Sequence, residues 1–224
     1  MKELILALDC SLRWTNVAVF ADGGTLVSKH LDIGRRQAAE LPLVVEGALK
    51  EARCAFGDVG LVAVTNGPGY FTGIRVGASY AAALAYGLGV KLAPVSTLYM
   101  LAYPGVLRSQ PTLVLVYAGK GRVYAASFGC VQPWNDLPPG EYEGGQLDAW
   151  ISSREDSGRN LLLVSDDPQK AAENSGLTSR EISQASPDAS IVAEIVWRAQ
   201  KSNASTVVSP MELKISYHRN PQVN

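Results

Sequence analysis

Asp22-Gly23-Gly24 stands between two strand-like runs, Asn16 to Phe20 and Thr25 to Leu31. Asp-Gly in that setting closes an antiparallel hairpin, because its tight turn requires residues that tolerate positive φ. Leu4-Ile5-Leu6-Ala7-Leu8 precedes the pair and is apolar throughout, as in a central strand. The period then changes. Leu41, Val44, Val45, Ala48, Leu49 and Ala52 form the stripe of an amphipathic helix, expected over Gln37 to Arg53 with Pro42 in its first turn. Leu61 to Thr65 is a strand, Thr72 to Tyr86 a helix with Gly87 as its C-cap, and Lys91 to Val95 a strand. Ser96-Thr97 caps a short helix through Tyr103. A meander followed by alternating strands and helices requires a mixed sheet with helices on its faces.

The order then restarts. Thr112 to Tyr117 and Val123 to Val131 are strand-like about the turn Ala118-Gly119-Lys120-Gly121. A helix near Leu147 to Ser152, a strand at Leu161 to Val164, a helix opening at Asp166-Asp167-Pro168 and another at Pro187-Asp188-Ala189 follow. The sequence therefore predicts two related α/β subdomains, residues 1–105 and 106–224, the second reduced.

Composition narrows the function. The 224 residues are 47% hydrophobic and 18% charged with a formal net charge of −1, which excludes a disordered chain and a broad positive field for nucleic acid. Cys10, Cys54 and Cys130 are too scattered for a disulfide framework or a thiolate zinc site. His30 and His218 are the only histidines, and no HExxH, GxSxG or nucleophile–histidine set is present. The apolar start is too short for a signal peptide, and Val76 to Val90 falls short of the ~20 residues of a membrane span. A soluble, cytoplasmic protein with no membrane contact is expected.

The run Gly67-Pro68-Gly69-Tyr70-Phe71-Thr72-Gly73-Ile74-Arg75-Val76-Gly77 is a strand-to-helix turn. Its glycines suit either a tight structural bend or a phosphate cradle at a helix N-terminus, with Thr72 placed to cap, but it lacks the P-loop order and lysine. Asp9 at the end of the first strand, followed by Ser11, reads either as a turn-capping carboxylate or as part of metal–phosphate chemistry. Asp9, Ser11, Gly67, Gly69 and Thr72 are thus a candidate vestigial phosphate site. The helix after the turn carries a small-residue row, Gly73, Gly77, Ala81 and Ala85, with little polarity around it. Such a helix must be covered on more than one side, by a second chain or by its own second half. The pairs Arg35-Arg36 and Lys120/Arg122 read as solvated surface.

Leu4 to Asp9, the Leu41-Pro42 step, the run Gly67 to Gly77 and Pro94-Val95-Ser96-Thr97-Leu98 together resemble the TsaB (YeaZ) family, bacterial subunits of the machinery that makes threonylcarbamoyladenosine in tRNA. The resemblance covers residues 1–105 well and the rest loosely. It implies an actin-like, Hsp70-like ATPase (ASKHA) fold. It also implies a non-catalytic scaffold that pairs with a TsaD-type catalytic paralogue, joined by a TsaE-type small ATPase, forming a homodimer when alone and meeting tRNA only through the complex. The interface it implies lies on the two helices of the first subdomain, at Leu43, Glu46, Gly47, Lys50, Gly73, Arg75, Val76, Gly77, Tyr80 and Ala81. No cofactor is expected on this chain itself, with magnesium–ATP entering in the assembled complex. The M22 peptidase label attached to such proteins finds no residues here to support it. Departures occur at Arg36-Gln37, where the family often has His-Ser, and at Tyr117 and Arg122, where it often has an acid and a glutamate. The alternative function is a small ATPase or phosphotransferase using Asp9 and the Gly67–Gly73 turn.

Overall fold

The computed structural model describes residues 4–129, 136–154, 160–204 and 207–217; Cys130, Val131 and His218 lie outside them. The first sheet has the order β3-β2-β1-β4-β5, built from β1 (Leu4–Asp9), β2 (Thr15–Ala21), β3 (Gly24–Leu31), β4 (Val59–Thr65) and β5 (Lys91–Val95). β1 runs antiparallel to β2 and parallel to β4. Every residue of β1 and β2 is buried, which is why their sequences do not alternate. On one face, Leu4, Leu6 and Leu8 pack with Val17, Val19, Val62 and Val64 beneath α1 (Gln37–Glu51) and α2 (Phe71–Leu88).

The opposite face is covered by α6 (Ala189–Lys201), whose Val192, Ala193 and Val196 are buried. Asp188 caps this helix by accepting from the Ser190 amide at 2.8 Å, and it also accepts from the Ser28 hydroxyl of β3 at 3.2 Å. The Trp197 ring lies 6.2 Å from that of Phe20 and fills the space over the β2–β3 turn. The compact units are accordingly Met1–Met100 with Pro187–Ser216, and Leu101–Ser186 with Tyr217. The single boundary at residue 105 places Pro187–Ser216 elsewhere. Its apolar stripe shows that a helix needs a partner but does not say which sheet supplies it.

The second sheet has the order β10-β9-β6-β7-β8, from β6 (Thr112–Gly119), β7 (Arg122–Phe128), β8 (Gly140–Glu143), β9 (Leu162–Ser165) and β10 (Ser183–Gln184). β6 is antiparallel to β7 and parallel to β9, so each strand repeats the role of its counterpart in the first sheet. Leu113, Leu115, Val123 and Ala125 pack with Leu147 and Ile151 of α4 (Gly144–Ser152) and Ala171 of α5 (Pro168–Ser175). The reduction is visible in β10, which is only 2 residues long.

Three boundaries differ from expectation. α1 starts at Gln37 as expected but ends at Glu51 rather than Arg53, and Pro42 falls beyond its first turn, where the ring removes one amide from the helix ladder at an exposed position. α2 runs two residues past Tyr86 because Gly89, at φ 68°, provides the left-handed cap expected at Gly87. α3 (Thr97–Leu107) continues through Pro104.

A Cβ on Gly23, at φ 81°, would lie 2.9 Å from the Trp197 ring. Gly23→Val is therefore expected to destabilise the chain by about 2 kcal/mol or more, read as a fall in the urea midpoint.

Candidate functional site

The Gly67–Gly77 run joins β4 to α2 as expected, through a cis Gly67–Pro68 bond, and the chain's own backbone lies against it on two sides. The carbonyl oxygens of Ser11 and Cys10 occupy the space that side chains on Gly69 and Gly73 would need. The Tyr70 amide donates to the Ser11 carbonyl at 2.7 Å. On the other side, a Cβ on Gly67, at φ 104°, would lie 2.5 Å from the Ser216 carbonyl oxygen. A phosphate cradle needs N–H groups turned toward an open space, and carbonyl oxygens there repel an anion. Thr72 is exposed in the first turn and does not cap, since the N-cap is Tyr70 without a side-chain bond.

Asp9 is 0% exposed. One carboxylate oxygen accepts from the Ser11 amide at 3.0 Å, the Ser11 hydroxyl at 2.6 Å and the Thr65 hydroxyl at 2.6 Å. The other accepts from the Asn16 side-chain amide at 2.8 Å, and Asn16 in turn faces His30 Nδ1 at 2.5 Å. This carboxylate ties the ends of β1, β2 and β4 together, as the turn-capping reading anticipates. Asp9, Ser11, Gly67, Gly69 and Thr72 therefore do not form one open cradle. Behind them, burial above all, with the Asp9 charge adding and a Thr15 hydrogen bond opposing, pushes the Cys10 thiol up to about 12.

The implied interface residues divide into two groups. Gly73, Gly77 and Ala81 are buried within this chain, with a Cβ on Gly77 at 3.2 Å from Cys10 Cβ. The small-residue row thus faces the chain's own first sheet, correcting its placement on an outer surface. Spacing alone shows that α2 needs a close neighbour, and that neighbour is the backbone following β1.

The other group lies outward. Leu43 is 66% exposed, with Glu46, Gly47 and Lys50 exposed on the same helix. Arg75 is exposed on α2, while Val76 and Tyr80 are half-buried. Burial above all, with the charge of Glu46 on α1 adding, raises the Tyr80 phenol further above its ordinary value. Phe71 at 55% and Tyr86 at 71% exposure widen the face, with the Arg75 guanidinium carbon 3.7 Å over the Phe71 ring. Sequence reasoning left out these two aromatics, although both fall on the helix side opposite Gly73, Gly77 and Ala81. Among the described residues, and apart from its own stretch of helix, no atom lies within 4 Å of the position a Cβ on Gly47 would take.

Among the described residues no group of three or more His, Cys, Asp or Glu side chains could hold a metal ion, and no helix is long and apolar enough to cross a membrane. In the second unit, Tyr117 lies under the Lys170 ammonium, and Arg122 pairs with Glu141 at 3.1 Å and Glu143 at 3.6 Å. Both departures from the family pattern thus have structural partners.

Residues 32–135 match the family model described as TsaD, tRNA N6-adenosine threonylcarbamoyltransferase. The chain is 28% identical over 170 residues to the tRNA threonylcarbamoyladenosine biosynthesis protein TsaB of Buchnera aphidicola subsp. Acyrthosiphon pisum, covering 74% of this chain and 76% of that protein. It is 33% identical over 128 residues to the Escherichia coli TsaB, covering 55% and 54%. The tRNA N6-adenosine threonylcarbamoyltransferase of Moorella thermoacetica is 35% identical over 146 residues, which cover 53% of this chain but only 42% of the transferase. In fold the chain is similar to YeaZ from Pseudomonas aeruginosa, with a TM-score of 0.73 at 22% identity over 96% of this chain and 99% of that one. A crystal structure from the same organism, described as similar to peptidase YEAZ, gives 0.80 at 21% identity over 97% and 100%. These findings bear out the resemblance to the TsaB (YeaZ) family, and the two mixed sheets flanked by helices share the fold of the YeaZ structures.

Two outcomes follow from this packing. Gly77→Leu should destabilise the fold by about 2 kcal/mol or more in chemical denaturation, because its side chain must enter the space held by Cys10. In the native chain at pH 8, iodoacetamide should leave Cys10 unmodified in peptide mass analysis, and modify it once the chain is unfolded in urea.

Proposed function

We propose that this chain is a non-catalytic docking subunit in the synthesis of threonylcarbamoyladenosine in tRNA, and that it pairs with a TsaD-type transferase through the outward faces of α1 and α2. The reading rests chiefly on Gly47. A glycine at an exposed position inside a helix costs about 1 kcal/mol relative to alanine, and no contact among the described residues requires one at Gly47. A bare helix surface beside exposed Leu43 suits close approach by another chain. Leu43, Phe71 and Tyr86 would supply the apolar anchors, while Glu46, Lys50 and Arg75 would form a polar rim. Tyr80 would enter that contact as a hydroxyl donor.

The comparisons support the docking-subunit reading over a transferase. TsaB of Buchnera is matched over most of its length, whereas the transferases are longer proteins of which this chain spans 42%, 40% and 33% in three cases. The buried, four-donor Asp9 and the carbonyl-lined turn support a structural role over the ATPase alternative. Within this reading, a TsaE-type ATPase and magnesium–ATP join only the assembled complex, tRNA is met through the transferase, and two copies cover one another's helix faces when the transferase is absent.

Sedimentation of the purified chain with the TsaD-type paralogue of the same cell tests the pairing. A one-to-one complex is expected, and a chain that ignores the paralogue sinks the proposal. Gly47→Ala should stabilise the isolated chain by about 0.5–1 kcal/mol. Gly47→Leu should leave the fold intact and weaken association at least about tenfold, by blocking helix approach.

A further inference from the structure

The geometry points to the segment Val207–Ser216 as a detachable strap that sets how the first turn of α2 is seated. No residue of this segment is fully buried, and Met211 is 81% exposed. It is held chiefly at two ends. At one, the Leu92 amide donates to the Val208 carbonyl at 3.1 Å and the Val208 amide to the Leu92 carbonyl at 2.8 Å, capping the outer edge of β5. At the other, the Ser216 amide donates to the Asn66 carbonyl at 2.8 Å and the Asn66 side-chain amide to the Lys214 carbonyl at 3.1 Å. Between them the turn Pro210–Glu212 rests on α2, and Val208 and Leu213 lie half-buried against the core cluster.

Two consequences attach to that arrangement. The strap closes a sheet edge that would otherwise be open to a foreign strand. It also supplies the Ser216 carbonyl against which Gly67 is pressed, while the Cys10 and Ser11 carbonyls hold Gly69 and Gly73 from the other side. The turn that launches α2 is therefore clamped between a deep segment and a shallow one. Few buried contacts and short hydrogen-bonded ends are features of a unit that opens below the global unfolding free energy. Strap release would loosen the start of α2, and with it Phe71 and Arg75 on the outward face. This last step rests on the docking role proposed for that face, whereas the seating of the turn does not.

Hydrogen–deuterium exchange by mass spectrometry on the full chain tests it, with Leu213→Asp to loosen the strap and Met211→Asp as an exposed control. In the parent, peptides carrying the Val208 and Ser216 amides should exchange at least about tenfold faster than those of β4. Leu213→Asp should accelerate both these peptides and the Tyr70–Ile74 turn by about tenfold or more, with β1 and β2 unchanged and Met211→Asp like the parent. Strap amides that exchange only together with β4 overturn the proposal, as does a loosened strap that leaves the Tyr70–Ile74 amides unchanged. The docking role is judged separately, by whether Gly47→Leu weakens association with the TsaD-type paralogue in a chain whose exchange matches the parent.

Discussion

The first unit depends on a close approach of backbone to backbone, in which the carbonyls of Cys10 and Ser11 fill the places where Gly73 and Gly69 lack side chains. Any Cβ at either glycine would push α2 away from the end of β1. Once α2 is drawn in, Gly77, Ala81 and Ala85 continue the same contact along the helix and bury against the sheet. Of the larger residues near its start, Ile74 is buried beside the glycines, and Phe71 and Arg75 are left on the outer side. Phe71, Arg75 and Tyr86 are turned out by the same rotation that turns the glycines in, with Tyr80 half-buried at the margin, so the character of the outer face follows from an inner packing requirement.

Much of the fold was legible in the sequence because its signals are local. The Asp22-Gly23-Gly24 turn, the apolar run of β1 and the period of α1 each identify an element from neighbouring residues alone. The restart after residue 111 was legible for the same reason, and the matching strand orders of the two sheets bear it out. The short strands β8 and β10 were not, since Gly140–Glu143 and Ser183–Gln184 have no apolar alternation to reveal them. Nor was the return of α6 to the first sheet. That depends on Asp188 meeting Ser28 and Trp197 meeting Gly23, pairings across more than 150 residues of chain that no local pattern contains.

The site was half legible for a related reason. A row of glycine and alanine at spacing four states that something approaches closely, but it has no sign for whether the approaching atoms belong to the same chain. Here they do at Gly73, Gly77 and Ala81, and they do not at Gly47, whose outer side meets no other segment among the described residues. Only the structure separates the two kinds of glycine. A glycine pressed by backbone is explained by the fold, whereas one exposed in the middle of a helix is a cost the isolated chain has no use for.

The same distinction bears on the turn after β4. Glycine-rich strand-to-helix turns bind phosphate when their amides line a cavity. Here the space is occupied by carbonyl oxygens of residues 10, 11 and 216, and the nearby carboxylate of Asp9 is spent on four donors that join three strands. Opening that space for an anion would require withdrawing Ser11 and so disturbing Asp9, Asn16 and Thr65 together. The deep side of the turn is thus fixed by the core of the sheet. The shallow side is held by a segment with no fully buried residue, so any conformational freedom at the start of α2 has to enter from the direction of Ser216.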